Sequence, residues 1–461
     1  MTAAHPARPP AASPRPYHFP DFERQRLANG LTVWVVPLPG RGMVNVHLVV
    51  DGGASAEDEA QGGIASLTAQ LMATGTQRLD AAAFAEATER LGIEVSADSS
   101  WDSARAAFSA LSQHAEAGLE LLCEMVRTPR LDPGEWDRLK AERLNDILQA
   151  RADPGRLADE VFIRHLYAAG VPYARPAGGV PETVDSLTVD DARAHHTAHW
   201  APSTAHLIIA GGIEPEAAFR AAEAQLGDWA GTGPGHRPVT PGAGGSRRVV
   251  LVDRPGSVQS ELRVGLVGID RYHPAYFPAT VMAALLGGVF GSRLNLRLRE
   301  ELGYTYGARC GFDPRRAAGP FTAHAAVQTE VTAPAIRELL GQLDGVRAAA
   351  PGQDELREVI NFLVGVFPLR FETTGGVAGA IEPLAIYGLP DDWWQTYRGR
   401  IEAVGVEEAH AAAVELIRPD EILIVLTGDA SRVRAELEEA DFGPLQVVPA
   451  PQAAAGAASA A

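Results

Sequence analysis

The chain has 461 residues, 46% of them hydrophobic, which is too long for one ordinary domain and apolar enough for at least two cores. Its 58 acidic residues outnumber 40 basic ones, and the formal net charge of −18 at pH 7 argues against nucleic acid or an anionic membrane as the main partner. Two cysteines, Cys123 and Cys310, are too few for a disulfide framework and point to a reducing compartment.

Residues 1–19 are rich in Pro and Ala without a signal-like apolar stretch, and are expected to form a disordered tail. Leu31-Thr-Val-Trp-Val-Val36 and Val44-Asn-Val-His-Leu-Val-Val50 read as strands, and residues 64–72 as an apolar helix. Asp132-Pro133 signals the start of a long helix over residues 133–150, and Thr188-Val-Asp-Asp-Ala192 signals another. A buried strand is expected over residues 206–211, closing at a glycine. Residues 231–247 are too dense in Gly and Pro for regular structure and read as a linker.

The second half repeats this plan: strands over residues 249–252 and 261–267, an apolar helix over 278–286, a long helix over 354–367 and a closing strand over 421–428. The order implies two homologous α+β domains, residues 20–230 and 248–448, each a mainly antiparallel sheet packed with helices. Residues 449–461 read as an Ala-rich tail. No uninterrupted apolar run of about 18 residues stands out, so no membrane span is expected.

His195 and His199 lie one helical turn apart, a spacing suited to a shared metal. No Glu between or beside them can act as a base, and the better reading of His195, His196 and His199 is a solvated helix face. His165 and His206 read as structural, and Cys123 as a small core residue. Residues 135–143 also read as a solvated, charged helix face. Gly287-Gly-Val-Phe-Gly291-Ser292 lacks the Lys of a phosphate loop. It reads either as a flexible segment presenting the residues that follow or as a helix-ending turn. No Gly-x-Ser-x-Gly elbow is present, and neither cysteine has a His nearby in sequence.

Several segments, in this order, resemble the pitrilysin/insulinase family of zinc peptidases. They are Leu27-Ala-Asn-Gly-Leu-Thr-Val33, Asp51-Gly-Gly-Ala-Ser55, the helix from Gly63 to Thr76, Leu91-Gly-Ile-Glu-Val-Ser-Ala97, Pro172-Tyr-Ala-Arg-Pro-Ala-Gly-Gly179, Trp200-Ala-Pro-Ser203 and Ser292-Arg-Leu-Asn-Leu-Arg-Leu-Arg-Glu-Glu-Leu-Gly-Tyr-Thr-Tyr306. The resemblance covers roughly residues 20–430. It implies two similar domains enclosing a chamber for an extended peptide. It also implies an inverted His-x-x-Glu-His motif, in which two His hold zinc and the Glu activates a water. Here those positions read Ser66, Ala69 and Gln70, so no zinc is expected in this chain. The family's third ligand, a Glu, falls at Asn145 or Asp146, and Ser96 stands where catalytic members commonly carry Asn.

The same resemblance gives Arg299 and Tyr306 the place of an Arg/Tyr pair that reaches toward the substrate carbonyl; Arg297 and Tyr304 have equal spacing and form the competing register. Ser96 and Ser292 are implied substrate contacts. The implied role is that of a zinc-free subunit, inactive alone, pairing with a homologous zinc-bearing peptidase subunit around a peptide substrate. Two-chain members of the family, mitochondrial processing peptidase among them, divide their functions this way. A non-catalytic structural or peptide-binding scaffold of the same fold is the alternative. The expected location is the cytoplasm, with the periplasm left open, and the Ala- and Gly-rich composition suits a high-GC bacterial genome.

Overall fold

A computed structural model describes residues 15–242 and 245–451. The first half builds a six-stranded sheet from β1 (Glu23–Arg26), β2 (Thr32–Pro37), β3 (Met43–Asp51), β4 (Glu94–Ser99), β5 (Ser103–Leu111) and β6 (Ala205–Gly211), in the order β1-β2-β6-β3-β5-β4. The second half builds another from β7 (Arg248–Asp253), β8 (Gln259–Val267), β9 (Ala308–Phe312), β10 (Pro320–Gln328), β11 (Leu423–Gly428) and β12 (Leu445–Pro449), in the order β12-β7-β11-β8-β10-β9. The order β2-β6-β3-β5-β4 is repeated as β7-β11-β8-β10-β9, so the halves share one topology. Each sheet is mainly antiparallel; β2–β6, β7–β11 and β7–β12 are the parallel pairs. The two α+β domains are therefore homologous, as the repeated sequence plan implies.

The central strands are apolar on both faces because both faces are covered. On β2, Val33 and Val35 enter the core of their own domain, whereas Trp34 and Val36 join the other domain's core. The cover comes partly from exchanged helices. Thr374–Tyr387 of the second half packs on β3 and β6, and Pro154–Leu166 of the first half packs on β8 and β11. Leu157, Val161 and Phe162 thereby share a cluster with Val250, Val252, Leu423 and Val425. Each such side chain contributes about 1.5–3 kcal/mol when fully buried, so the exchange binds the halves together.

Several sequence expectations change at the edges. The tail expected to run to residue 19 is packed at its end: Phe19 is buried, 5.1 Å in ring-centroid distance from Phe371, and Tyr17 lies against Phe367 and Phe371. Apolar aromatics two residues apart find a cleft between helices of the second domain. Residues 1–14 and 452–461 lie outside the described residues. The described part of the linker has no regular structure, yet it is pinned: Gly233 N–H donates to Ser203 Oγ at 2.9 Å and Arg237 to Asp58 at 3.0 Å. The helix expected over residues 278–286 runs from Tyr276 to Ala283 and then opens into a π-helical turn, Ala284–Gly288. The stretch Tyr276–Glu301 is by length and composition apolar enough to cross a membrane. It is broken by turns at residues 289–292, and its Leu286, Leu294 and Leu298 are fully buried in the second core.

Candidate functional site

The motif helix, Ile64–Met72, begins at Gly63, whose φ of 97° is a left-handed conformation that L side chains avoid. A Cβ there would stand 2.8 Å from the Gly178 carbonyl oxygen. The helix's first turn is held by Glu57, which accepts hydrogen bonds from the N–H groups of Gly63 at 3.1 Å and Ala65 at 2.9 Å and pairs with Arg175 at 3.2 Å. Burial pushes the Glu57 carboxyl up to about 7, outweighing the opposing pull of the two N–H donors and Arg175. No sequence signal marked this residue, six positions ahead of the helix.

At the motif positions, Ser66 is buried, Ala69 is fully buried in the apolar core and Gln70 is partly exposed. Arg143, on the helix Pro133–Ala152, reaches in and donates from Nη2 to Ser66 Oγ at 2.9 Å. This corrects the reading of residues 135–143 as a solvated face. Arg138 does lie on that face, bridging Glu135 and Glu142, but Arg143 turns inward. Gly178 makes room for it, since a Cβ at that position would lie 2.5 Å from Nη1. Burial lowers the Arg143 pKa, opposed by nearby Asp146.

Of the two alternatives for the third ligand, Asp146 lines the adjoining cleft of about 350 Å³ and Asn145 does not. These residues do not fit zinc. A hydroxyl, a methyl and an amide replace the ligands and base, and a guanidinium brings a positive charge of its own. Among the described residues no group of three or more His, Cys, Asp and Glu could hold a metal ion.

β4, the edge strand of its sheet, lies beside the motif helix. Ser96 is exposed on it, opposite Ala107 of β5. Among the described residues the outer backbone edge of β4 has no strand partner, an arrangement able to accept an extended peptide.

Arg299 lies in a second π-helical turn, Leu296–Glu301, where its guanidinium stands 4.6 Å from the Phe290 ring centre and 3.5 Å from the Glu300 carboxylate. Tyr306 is 93% exposed. The competing register is tied up. Arg297 bridges Glu338 and Glu301, each at 2.7 Å, and Tyr304 packs against the second core. No hydrogen bond among the described residues joins Arg299 or Tyr306 to the motif helix. Ser292 departs from its expected role: it is buried, 3.5 Å from Asn295 Nδ2, and has no surface to offer a peptide. The glycine segment before it ends a helix, as one of its two readings expects: the π-helical turn closes at Gly288 and turns follow at residues 289–292. Gly287 sits in the π-helical turn against β9, where a Cβ would lie 2.6 Å from Cys310 N.

The histidines overturn the solvated-face reading. His195 is buried and its ring stacks on His199 with centroids 4.4 Å apart. Burial, aided by the neighbouring imidazoles, pushes the His195 pKa down to about 3. His196 lies 2.8 Å from the Val126 carbonyl oxygen. The helix Val189–His199 packs on the motif helix, which covers the face that its polar sequence suggested was wet. His206 receives a hydrogen bond from Trp34 Nε1 at 3.2 Å, a structural role.

Two further polar clusters join the halves, both invisible in sequence. Asp102 accepts from the Tyr173 hydroxyl at 2.7 Å, the Tyr387 hydroxyl at 3.1 Å and the Arg316 N–H at 2.9 Å. Glu382 pairs with His47 at 2.6 Å and Arg105 at 3.2 Å.

Fold and site together define a two-domain peptidase frame whose metal position is degenerate. Residues 35–174 match the family described as Insulinase (Peptidase family M16), and residues 186–363 match Peptidase M16 inactive domain. The chain belongs to the insulinase (M16) peptidase family. It is 24% identical over 368 residues to the "Non-peptidase homolog YmxG" of Helicobacter pylori, covering 79% of this chain and 84% of that one. It is 24% identical over 274 residues to the "Mitochondrial-processing peptidase subunit beta" of Blastocladiella emersonii, covering 59% and 57% respectively. A crystal structure described as a peptidase M16 inactive domain from Pseudomonas fluorescens superposes with a TM-score of 0.83 at 26% identity, covering 88% of this chain and 98% of that one.

Proposed function

We propose that this chain is the zinc-free subunit of a heterodimeric insulinase-like metallopeptidase. It supplies peptide-binding surface and the Arg299/Tyr306 donors to a zinc-bearing homologous partner. The observation that carries this reading is the contrast between the two halves. In the first, the motif helix is kept but its metal position is filled by Arg143 on Ser66. In the second, Tyr306 stands almost fully exposed while the rival pair is locked into ion pairs and core. A guanidinium and a phenol are suited to hydrogen-bond a carbonyl oxygen as it gains negative charge. β4 adds an open strand edge for the peptide, and Ser96 lies on it. Ser292 takes no part.

The test is turnover by the complex with Arg299→Ala or Tyr306→Phe. Loss of one oxyanion donor typically costs a hundredfold or more, roughly 3 kcal/mol, chiefly in kcat. Near-wild-type turnover for both variants refutes the role. The alternative, a peptide-binding scaffold, predicts peptide capture by β4 with no effect of these variants on hydrolysis.

A further inference from the structure

The cleft beside the degenerate metal position has a charge that its surroundings do not explain. It opens between the helices Pro133–Ala152 and Pro154–Leu166, has a volume of about 350 Å³, and has Arg143 in its wall. Among the described residues Arg143 makes no ion pair; its only hydrogen bond goes to Ser66, and its Nε is buried without an acceptor. Arg156, also lining the cleft, has no side-chain partner among the described residues either. Three acids line the same cleft, but two are engaged: Asp159 with Arg263, and Glu160 with Arg151 and Arg164. Only exposed Asp146 remains to oppose two cations. A locally positive cleft thus stands in a chain of net charge −18. The rest of the lining includes the apolar groups of Trp101, Ile147, Ala150 and Ile163.

A partly desolvated guanidinium without a counter-charge is costly, and a carboxylate is its natural complement. We propose that this cleft binds a peptide carboxylate flanked by an apolar side chain. The carboxylate oxygen sits on Arg143 Nη1, with Arg156 adding charge and the apolar side chain lying on Ile147, Ile163 and Trp101. Ser66 holds the guanidinium in place, and Gly178, having no Cβ, lets Nη1 pack close to the backbone in the cleft wall. The degenerate metal position has then exchanged a metal for an anion as its ligand. This holds with or without a zinc-bearing partner, and the isolated chain tests it separately.

Fluorescence polarisation on the full-length chain measures binding of a labelled hexapeptide ending in Leu, as the free acid and as the amide. A third probe, amidated and carrying Glu before Leu, distinguishes a side-chain carboxylate from a C-terminal one. Inorganic phosphate serves as competitor. The free acid or the Glu-containing amide should bind at least tenfold tighter than the plain amide. That preference should vanish in Arg143→Gln and weaken in Arg156→Gln, a surface change that leaves the Ser66 contact intact. Circular dichroism checks that both variants fold; if Arg143→Gln does not, Arg156→Gln with the salt dependence of binding decides. Equal binding of all three peptides overturns the proposal. So does an unchanged acid preference in Arg156→Gln and in folded Arg143→Gln, or displacement by phosphate at concentrations matching the peptide's own affinity.

Discussion

Arg143 and Glu57 decide what the motif helix can do. Restoring the motif by Ser66→His, Ala69→Glu and Gln70→His should not restore stoichiometric zinc, measured by metal analysis of the purified variant. Arg143 would place a positive charge against the metal, and the Glu would replace a fully buried methyl in the core. About one zinc per variant chain would contradict this.

Glu57 makes a separate, signed prediction. Its carboxyl titrates near 7 in the fold against 4.5 for the ordinary group. Between those values the folded chain binds the proton that the unfolded chain has lost. Its contribution therefore falls as pH rises from about 4.5 to about 7 and is level above that, by about 3 kcal/mol in total. Glu57→Gln should remove this slope. Denaturant unfolding at a series of pH values should show the variant gaining on wild type across that window, and parallel curves would rule the assignment out.

At the scale of elements, the exchanged helices and the Asp102 cluster fasten the halves. Asp102→Ala would leave two phenols and a backbone N–H without their acceptor in a buried junction. The expected loss is roughly 3 kcal/mol or more, read as a lower urea midpoint, with Asp102→Asn milder. An unchanged midpoint would show that the cluster adds nothing.

The strands and their repetition were legible because alternation and apolar runs are local: residues 32–36, 44–50 and 261–267 all fall in strands. The loss of the zinc motif was equally legible, since it is a matter of which side chains stand at 66, 69 and 70. The Arg143–Ser66 contact was not, because it joins residues 77 apart. His195 misled for a related reason: a polar helix face says nothing about a second helix laid over it. Phe19 failed likewise, its burial being set by Phe371 and Trp394 far along the chain. Helix exchange is a tertiary fact that no local periodicity records.

At the scale of the whole molecule, the chain keeps a two-domain peptidase frame, lacks a fit for the metal and keeps Tyr306 exposed on the second domain. Under the proposed function, another chain completes this frame. The most direct measurement is co-expression with a homologue bearing an intact His-x-x-Glu-His motif. Size-exclusion chromatography with light scattering and zinc analysis of the eluted peak then read the outcome. The account predicts a 1:1 complex stable at micromolar concentration, with about one zinc that is lost when the partner's motif is mutated and retained when Ser66 or Gln70 is changed. Separate species at micromolar concentration, or zinc held by this chain alone, would contradict it.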